Sequence, residues 1–282
     1  MEKNLETKKM ECGIAGSIIF YIPLFFAIST RFLRRSKLGV IVWTTEYLIP
    51  VLLSMLTLSL TNFNIVTAII AILSTYNLYE IGYIQNDCET IKKETKPTRR
   101  LSESQLNYYE SHKYFIYGFR FLIGLGATVL FVSFGIGWYG ICVMWLVIPY
   151  YCVYNYLRKR VNLYLLLPLI TYRYCFPLYL YGNNTEEQLI LVLIILFVAY
   201  PLPTFIEICS DGKGNHPEKW TKLFMRDFEK RFIFRVWYYL VLSLICILFA
   251  FWGFIPFIST IVPIFYLLDR TPQLKMKKLG KK

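Results

Sequence analysis

Long apolar stretches recur along this chain, and they reach the length that a helix needs to cross a lipid bilayer. A spanning helix takes about 20 apolar residues at a rise of about 1.5 Å per residue. Hydrophobic residues make up 56% of the chain and charged residues only 17%, a balance that soluble domains rarely show. We therefore predict an all-α polytopic membrane protein. Its spans are expected at about 38–60, 65–85, 114–133, 136–157, 161–181, 188–209, 232–252 and 254–268.

Lysine and arginine are concentrated on one side of this predicted arrangement. Most of the 31 basic residues lie near the two termini or in every second connection between spans. The connections that contain no basic residue are 61–64, 134–135, 182–187 and 253. Such an asymmetry predicts that the basic connections face the cytoplasm. We interpret the net charge of +13 as a membrane-orientation signal, which argues against a nucleic-acid partner.

The first 37 residues are predicted to form a separate N-terminal segment. Residues 13–29 are apolar but at the low end of spanning length, and Arg31, Arg34 and other basic residues follow them where a cleavage site would need small residues. Crossing the membrane and lying at its surface are both open for this stretch. Residues 1–37 are therefore assigned to the N-terminal segment, and residues 38–282 to a single transmembrane domain.

Acidic side chains line the end of the second predicted span. If the helix continues into the loop, Glu80, Asp87 and Glu94 lie two turns apart on one face. A carboxylate inside a bilayer segment is costly, so Glu80 is a functional-site hypothesis. Carboxylates beside lysines and arginines suit a magnesium-bound phosphate, because oxygens hold the metal and cations hold the phosphate. A solvated helix end with mixed charges is the simpler alternative.

A second acidic pair, Glu207 and Asp211, lies one helical turn apart at the end of the sixth predicted span. Together with Asp87 and Glu94 it makes two pairs on the predicted cytoplasmic side. Two such pairs facing one cavity can hold one or two magnesium ions that stabilise a diphosphate leaving group. The nearby cations that are expected to contact phosphate are Lys92, Lys93, Arg99, Arg100, Lys213 and Lys219.

These motifs resemble those of the UbiA superfamily of intramembrane prenyltransferases. The run N-D-C-E-T-I-K-K-E, Asn86 to Glu94, is similar to the family's first motif, N-D-x-x-D-x-x-x-D followed by basic residues. The run Glu207-x-x-x-Asp211 is similar to its second motif, D-x-x-x-D. Thr90 stands where the family has an aspartate, and it offers a hydroxyl without a charge.

The resemblance implies a UbiA-like bundle of eight to nine transmembrane helices and a magnesium-dependent transferase. It implies that Asp87 and Asp211 take part in catalysis. Glu80, from its place inside the predicted span, is expected to join them by orienting or deprotonating the acceptor. The implied magnesium ligands are Asn86, Asp87, Glu94, Glu207 and Asp211.

The run from Glu94 to Arg100 is similar to the H-P-x-K-R tail of the decaprenyl-phosphate phosphoribosyltransferase branch, although the histidine is missing. That likeness implies transfer of a phosphoribosyl or glycosyl group from a diphosphate-activated donor to a polyprenyl phosphate lipid, for cell-envelope glycan synthesis. The expected location is the bacterial inner membrane, with the active site facing the cytoplasm. An aromatic prenyltransferase of the quinone or haem type, using a prenyl diphosphate, is the alternative within the family.

A lipid-linked substrate transporter is the alternative from another class. It would use the charges inside the predicted spans, which are Glu46, Glu80, Arg120 and Arg173. For Glu46, a structural ion pair with an arginine and a role in substrate binding are both open. Arg231 and Arg235, one turn apart, are open between phosphate binding and interfacial anchoring.

Overall fold

The computed structural model describes residues 16–33, 38–59, 62–93, 98–157, 161–182, 186–211, 218–225 and 230–279, with side chains except at 186–187 and 274–279. All regular elements in these ranges are helical. Nine helices follow the N-terminal segment (residues 16–33) in the described chain. They are α1 Gly39–Leu58, α2 Ile65–Lys93, α3 Glu103–Ser133, α4 Trp138–Leu157, α5 Val161–Tyr181, α6 Glu186–Ala199, α7 Pro201–Asp211, α8 Arg231–Phe251 and α9 Ile261–Leu279.

Seven stretches of the described chain are long and apolar enough to cross a membrane. They are helices α1 to α5, the α6–α7 pair and α8, and they match seven of the predicted spans. The prediction of an all-α polytopic membrane protein is therefore confirmed. The predicted count of eight to nine spans is not confirmed, because α9 begins only at Ile261 and carries Asp269 and Arg270 near its middle.

Two helix starts have a clear local cause. At α3, Ser102 accepts a hydrogen bond from the Gln105 backbone N–H, while the Gln105 side chain accepts one from the Ser102 backbone N–H. This capping box begins α3 well before the apolar part of the helix. At α7, Pro201 occupies the first turn, where a missing N–H costs nothing, and it separates α7 from α6.

The chain divides into two compact units. The first unit, Met1–Trp43 and Ile69–Arg158, contains the N-terminal segment, α2, α3 and α4. The second unit, Thr44–Ala68 and Lys159–Lys282, contains most of α1 and helices α5 to α9. The N-terminal segment thus belongs to the same unit as α2 to α4. The predicted domain boundary after residue 37 stays a prediction.

The N-terminal segment is not one continuous helix. It consists of a 3-10 turn Ile18–Phe20, a single α-helical turn Phe25–Ala27 and a π-helical turn Ile28–Phe32. Between the first two turns, Leu24 has a φ of 77°, in the left-handed region that L-residues other than glycine rarely adopt. The break leaves several backbone groups without helical partners, and these groups need partners from elsewhere.

Aromatic and aliphatic side chains of the N-terminal segment enter the core of the first unit. Phe20 and Phe26 are fully buried and pack in one cluster with Ile84, Cys88 and Tyr109 of α2 and α3. Burial of this kind stabilises by roughly 1.5–3 kcal/mol for each large apolar side chain. The apolar contacts therefore hold the segment against the helices.

Helices α2 and α4 approach each other closely at Gly82. A Cβ atom added there would lie 2.1 Å from Cγ of Tyr151, so only glycine fits. Asn155 donates hydrogen bonds to the Gly82 carbonyl at 3.0 Å and to the Gln85 side chain at 3.0 Å. This contact positions the last turns of α2, from which the first acidic motif emerges.

In the second unit, α8 packs along α9, and α5 packs against α6 and α7. Buried tyrosines join these helices, since the rings of Tyr239 and Tyr266 stack at 5.1 Å and those of Tyr174 and Tyr200 at 4.2 Å. The tyrosine core surrounds the inward-facing charges of this unit.

Candidate functional site

Asp87, in the last turns of α2, is a buried carboxylate shared by two arginines. Its residue is 1% exposed. Arg31 of the N-terminal segment contacts both oxygens, with Nη2 3.0 Å from Oδ1 and Nη1 3.0 Å from Oδ2. Arg100 Nη1 donates to Oδ1 at 2.8 Å, and so does Asn86 Nδ2 at 2.8 Å. Asp87 therefore organises a pair of guanidinium groups.

The charge on Arg31 is secured by its surroundings. Burial by itself disfavours the cation, but the charge of Asp87 and its hydrogen bond to the guanidinium outweigh that effect and raise the pKa of Arg31. The guanidinium carbon lies 4.4 Å from the centre of the Tyr83 ring, a cation–π contact. Arg31 is thus held in place as a permanent cation.

A pocket of about 240 Å³ opens beside Asp87. Arg99 and Arg100 reach it from the chain that leads into α3, and Lys92 reaches it from the end of α2. Arg99 is exposed, while Lys92 forms an ion pair with Glu110. The lining residues are Asp87, Cys88, Ile91, Lys92, Arg99, Arg100, Leu101 and Leu106. A small pocket with three cations on its wall is suited to an anion such as phosphate.

Glu80 lies two turns before Asp87 and has no exposed surface. Its Oε2 atom is 2.9 Å from Nη1 of Arg120, and it accepts the backbone N–H of Leu24 at 2.9 Å. Its Oε1 atom accepts the backbone N–H of Ala27. Glu80 therefore binds the broken backbone of the N-terminal segment. Its predicted part in catalysis stays a prediction.

The second acidic motif lies in the second unit. Glu207 accepts two hydrogen bonds from Arg235, at 2.6 Å from Nε and 3.0 Å from Nη2. Arg235 also donates to Thr204 at 2.9 Å and to Tyr239 at 2.7 Å. Asp211 is exposed at the end of α7. The two alternatives for Arg235 are interfacial anchoring and phosphate binding. The structure shows neither of them and places Arg235 in a buried ion pair with Glu207.

The structure brings together some of the predicted site residues. Asn86, Asp87 and Arg100 are in contact, and Lys92 and Arg99 line the same pocket, whereas Lys93 is exposed outside that lining. Lys219 is exposed in the second unit. Glu94 and Lys213 lie outside the described residues.

Within the described residues, two carboxylates of the expected magnesium site, Asp87 and Glu207, are bound by arginines. No group of three His, Cys, Asp or Glu side chains in the described chain is arranged to hold a metal ion. The carboxylate of Asp87 is occupied by two guanidinium groups, and that of Glu207 is occupied by Arg235. A magnesium ion needs several free oxygen ligands. Glu94 lies outside the described residues, so the metal stays a prediction.

The sequence did not identify two of the contacts around these acids. Arg31 is one of the basic residues of a predicted cytoplasmic connection, and Arg120 is a charge inside a predicted span whose partner the sequence does not give. The structural alternative for Glu46 is confirmed, because Oε1 lies 2.7 Å from Nη2 of Arg270. Only the cost of burying a charge pointed to these pairs, and that cost does not identify the partner.

Comparison with known proteins gives no family assignment, because no family model, curated protein or solved structure matches this chain. The likeness to the UbiA superfamily therefore rests on the two acidic motifs. The geometry around Asp87 stands independently of that likeness.

Proposed function

We propose that this integral membrane protein is a transferase of the UbiA type that acts on a diphosphate-activated donor. One observation carries the proposal: the buried carboxylate of Asp87 fixes arginine side chains beside a small pocket whose wall is cationic. Seven apolar helices provide the membrane setting in which a lipid acceptor is available.

The pocket supplies what a diphosphate leaving group requires. Arg100 contacts Asp87 through Nη1, and in the described chain its other donors have no protein partner. A guanidinium fixed on one edge offers its remaining N–H groups in a planar fork that matches phosphate oxygens. Arg99 and Lys92 add charge at the same wall. Donors preset in this way stabilise negative charge as it develops in the transition state.

The proposed reaction breaks the bond between the donor carbon and the diphosphate oxygen. The electron pair of that bond goes to the oxygen, and the arginines hold the diphosphate that leaves. An oxygen of the acceptor phosphate forms the new bond to the carbon, so that no further oxidant or reductant is required. Magnesium would add further charge neutralisation when bound.

The preferred pairing is a phosphoribosyl or glycosyl diphosphate donor with polyprenyl phosphate, at the cytoplasmic face of a bacterial inner membrane. The basic run that ends in Arg99 and Arg100, which the likeness to the phosphoribosyltransferase branch singled out, contributes directly to the pocket wall. Transfer of a prenyl group to an aromatic acceptor uses the same diphosphate chemistry, and only the substrates distinguish the two.

A second candidate, a transporter for a lipid-linked substrate, is favoured by the broken N-terminal segment. Discontinuous helices with buried charges at the break are a common feature of transporter sites. Here the break at Leu24 lies against the Glu80–Arg120 ion pair. This candidate gives the cationic pocket no part in chemistry.

The deciding experiment is product analysis by mass spectrometry on the purified full-length protein. Polyprenyl phosphate and phosphoribosyl diphosphate are supplied with and without magnesium, and a prenyl diphosphate with an aromatic acid is supplied in parallel. Asp87→Asn tests the site. Glu103→Gln, an acid-to-amide change at an exposed residue in the first turn of α3, is the matched control.

We expect a phosphoribosyl lipid from the wild type and from Glu103→Gln, and at least a hundredfold less from Asp87→Asn, because both arginines lose their anchor. Prenylation of the aromatic acid would assign the alternative branch instead. If no donor releases diphosphate and the protein moves a lipid-linked substrate across vesicle membranes, the transferase proposal is wrong.

A further inference from the structure

We propose that Arg31 of the N-terminal segment is a diphosphate-binding residue, which holds the donor together with Arg100. Asp87 then acts as the positioning residue for both arginines. The inference rests on the proposed function and extends it, because it brings into the site a part of the chain that the sequence placed outside the transferase domain.

The two guanidinium groups converge on one carboxylate oxygen. Nη2 of Arg31 and Nη1 of Arg100 contact the same oxygen, Oδ1 of Asp87, at 3.0 and 2.8 Å. Two cations this close repel each other unless an anion lies between them. The single charge of Asp87 offsets only part of their charge, which leaves a positive field at the pocket.

Both arginine side chains are partly exposed, although the carboxylate between them is buried. The Asp87 side chain is 0% exposed, whereas the side chains of Arg31 and Arg100 are 17% and 29% exposed. Part of each arginine side chain therefore reaches the surface, and Arg100, but not Arg31, is among the residues that line the pocket. A guanidinium carries five N–H donors, more than one carboxylate can engage. Within the described residues, Nη1 of Arg31 lies 3.0 Å from Oδ2 but makes no hydrogen bond, so this buried donor is left for a ligand.

The backbone contacts of the N-terminal segment fix the position of Arg31. Arg31 follows Ala27 by about one helical turn, and the backbone N–H of Ala27 is bound by Glu80. Arg120 donates to the carbonyls of Phe20 at 2.8 Å and Ile22 at 3.2 Å. The buried Glu80–Arg120 ion pair thus fixes the segment that carries Arg31. A binding site needs its residues held in place by such supporting contacts.

The grouping of cations indicates the chemical class of the ligand. Arg31 and Arg100 contact Asp87, and Lys92 and Arg99 lie on the adjacent pocket wall. Several cations grouped around a small volume favour a ligand with more than one negative charge. We therefore expect inorganic pyrophosphate to bind more tightly than inorganic phosphate, by roughly tenfold or more.

The test measures binding without turnover. Full-length protein in detergent is titrated with pyrophosphate and, separately, with phosphate by isothermal calorimetry in the presence of a chelator. Arg31→Gln removes the cation and Arg31→Lys keeps the charge but loses the fork. The matched control is Lys113→Gln, which removes a cation of the same unit. Lys113 pairs with Glu89, and neither residue lines the pocket.

We expect Arg31→Gln to weaken pyrophosphate binding by roughly tenfold to a hundredfold, the loss typical of a hydrogen bond to a charged group. Arg31→Lys should lose less, because it retains the charge, and Lys113→Gln should bind as the wild type does. Thermal unfolding of each variant reports whether it is folded. If Arg31→Gln is unfolded, the comparison rests on Arg31→Lys, which must then bind measurably more weakly than the wild type.

Three outcomes overturn the inference in different ways. Unchanged affinity in folded Arg31 variants would make Arg31 a purely structural partner of Asp87 and leave the proposed function standing. Binding of pyrophosphate only when magnesium is added would make Asp87 a metal ligand instead of a positioning residue. Absence of binding under both conditions, together with no diphosphate release from any donor, would refute the proposed function itself.

Discussion

Glu80 and Arg120, both without exposed surface, form an ion pair of 2.9 Å that also binds the backbone of the N-terminal segment. Glu80 accepts the N–H groups of Leu24 and Ala27, and Arg120 donates to the carbonyl of Phe20. Buried charges are tolerated when their remaining donors and acceptors are satisfied. The buried N–H and C=O groups of the irregular backbone also need hydrogen-bond partners. The ion pair and the N-terminal segment therefore satisfy each other's polar groups.

The first prediction concerns this pair as a unit. Glu80→Gln and Arg120→Met are each expected to destabilise the protein by about 3–5 kcal/mol, because each leaves an uncompensated buried charge. The double variant should lose clearly less than the sum of the two. Denaturant unfolding in mixed micelles measures the three free energies.

The control for this comparison of single and double variants is the exposed ion pair of Lys92 and Glu110, whose side chains are 57% and 50% exposed. Lys92→Met and Glu110→Gln should each cost no more than about 1 kcal/mol. Strict additivity of the Glu80 and Arg120 effects would contradict the coupling that the geometry implies.

The second prediction tests the left-handed conformation of Leu24. Leu24→Gly and Leu24→Ala remove similar amounts of apolar side chain, but only glycine adopts a φ of 77° without strain. We expect the glycine variant to be more stable than the alanine variant by about 1 kcal/mol, the reverse of their order inside a regular helix. Equal stability of the two would show that the break is not held in this conformation. Thermal unfolding of the purified variants gives the comparison.

The membrane-spanning helices could be predicted from the sequence because the bilayer constrains every residue of a span. The sequence also indicated that Asp87 and Arg100 are near each other, because only 13 residues separate them, although it assigned Asp87 to magnesium and Arg100 to phosphate. Each of these features depends on residues that are near one another in the chain.

The contacts of the N-terminal segment could not be predicted in the same way. Arg31 meets Asp87, and Glu80 meets Arg120, across long stretches of chain that only the packed fold brings together. The sequence indicated that Glu80 and Arg120 needed partners, because charges in a bilayer are costly. It could not choose among the buried charges of opposite sign.

The third prediction concerns the close approach of α2 and α4. Gly82→Ala places a methyl group against the Tyr151 ring, where the Cβ atom would lie 2.1 Å from Cγ. The helices must separate, and a loss of about 1–3 kcal/mol is expected, as in other overpacked cores. The matched control is Gly126→Ala on α3, where a Cβ atom meets nothing within 4 Å. That variant should be neutral or slightly stabilising, because alanine favours a helix. A neutral Gly82→Ala in thermal unfolding would contradict the contact.

The fourth prediction separates a structural role of Glu207 from a metal-binding role. Its carboxylate accepts two hydrogen bonds from Arg235, so Glu207→Gln is expected to lower the unfolding temperature whether or not magnesium is present. Asp211→Asn, at an exposed position on the same helix, should stay within about 0.5 kcal/mol of the wild type. A metal ligand would behave differently, because magnesium would then stabilise the wild type and fail to stabilise Glu207→Gln. Thermal unfolding of the three proteins over a magnesium titration distinguishes the two roles. A magnesium-dependent gap between wild type and Glu207→Gln would restore the second acidic motif as a metal site and require Arg235 to release the carboxylate.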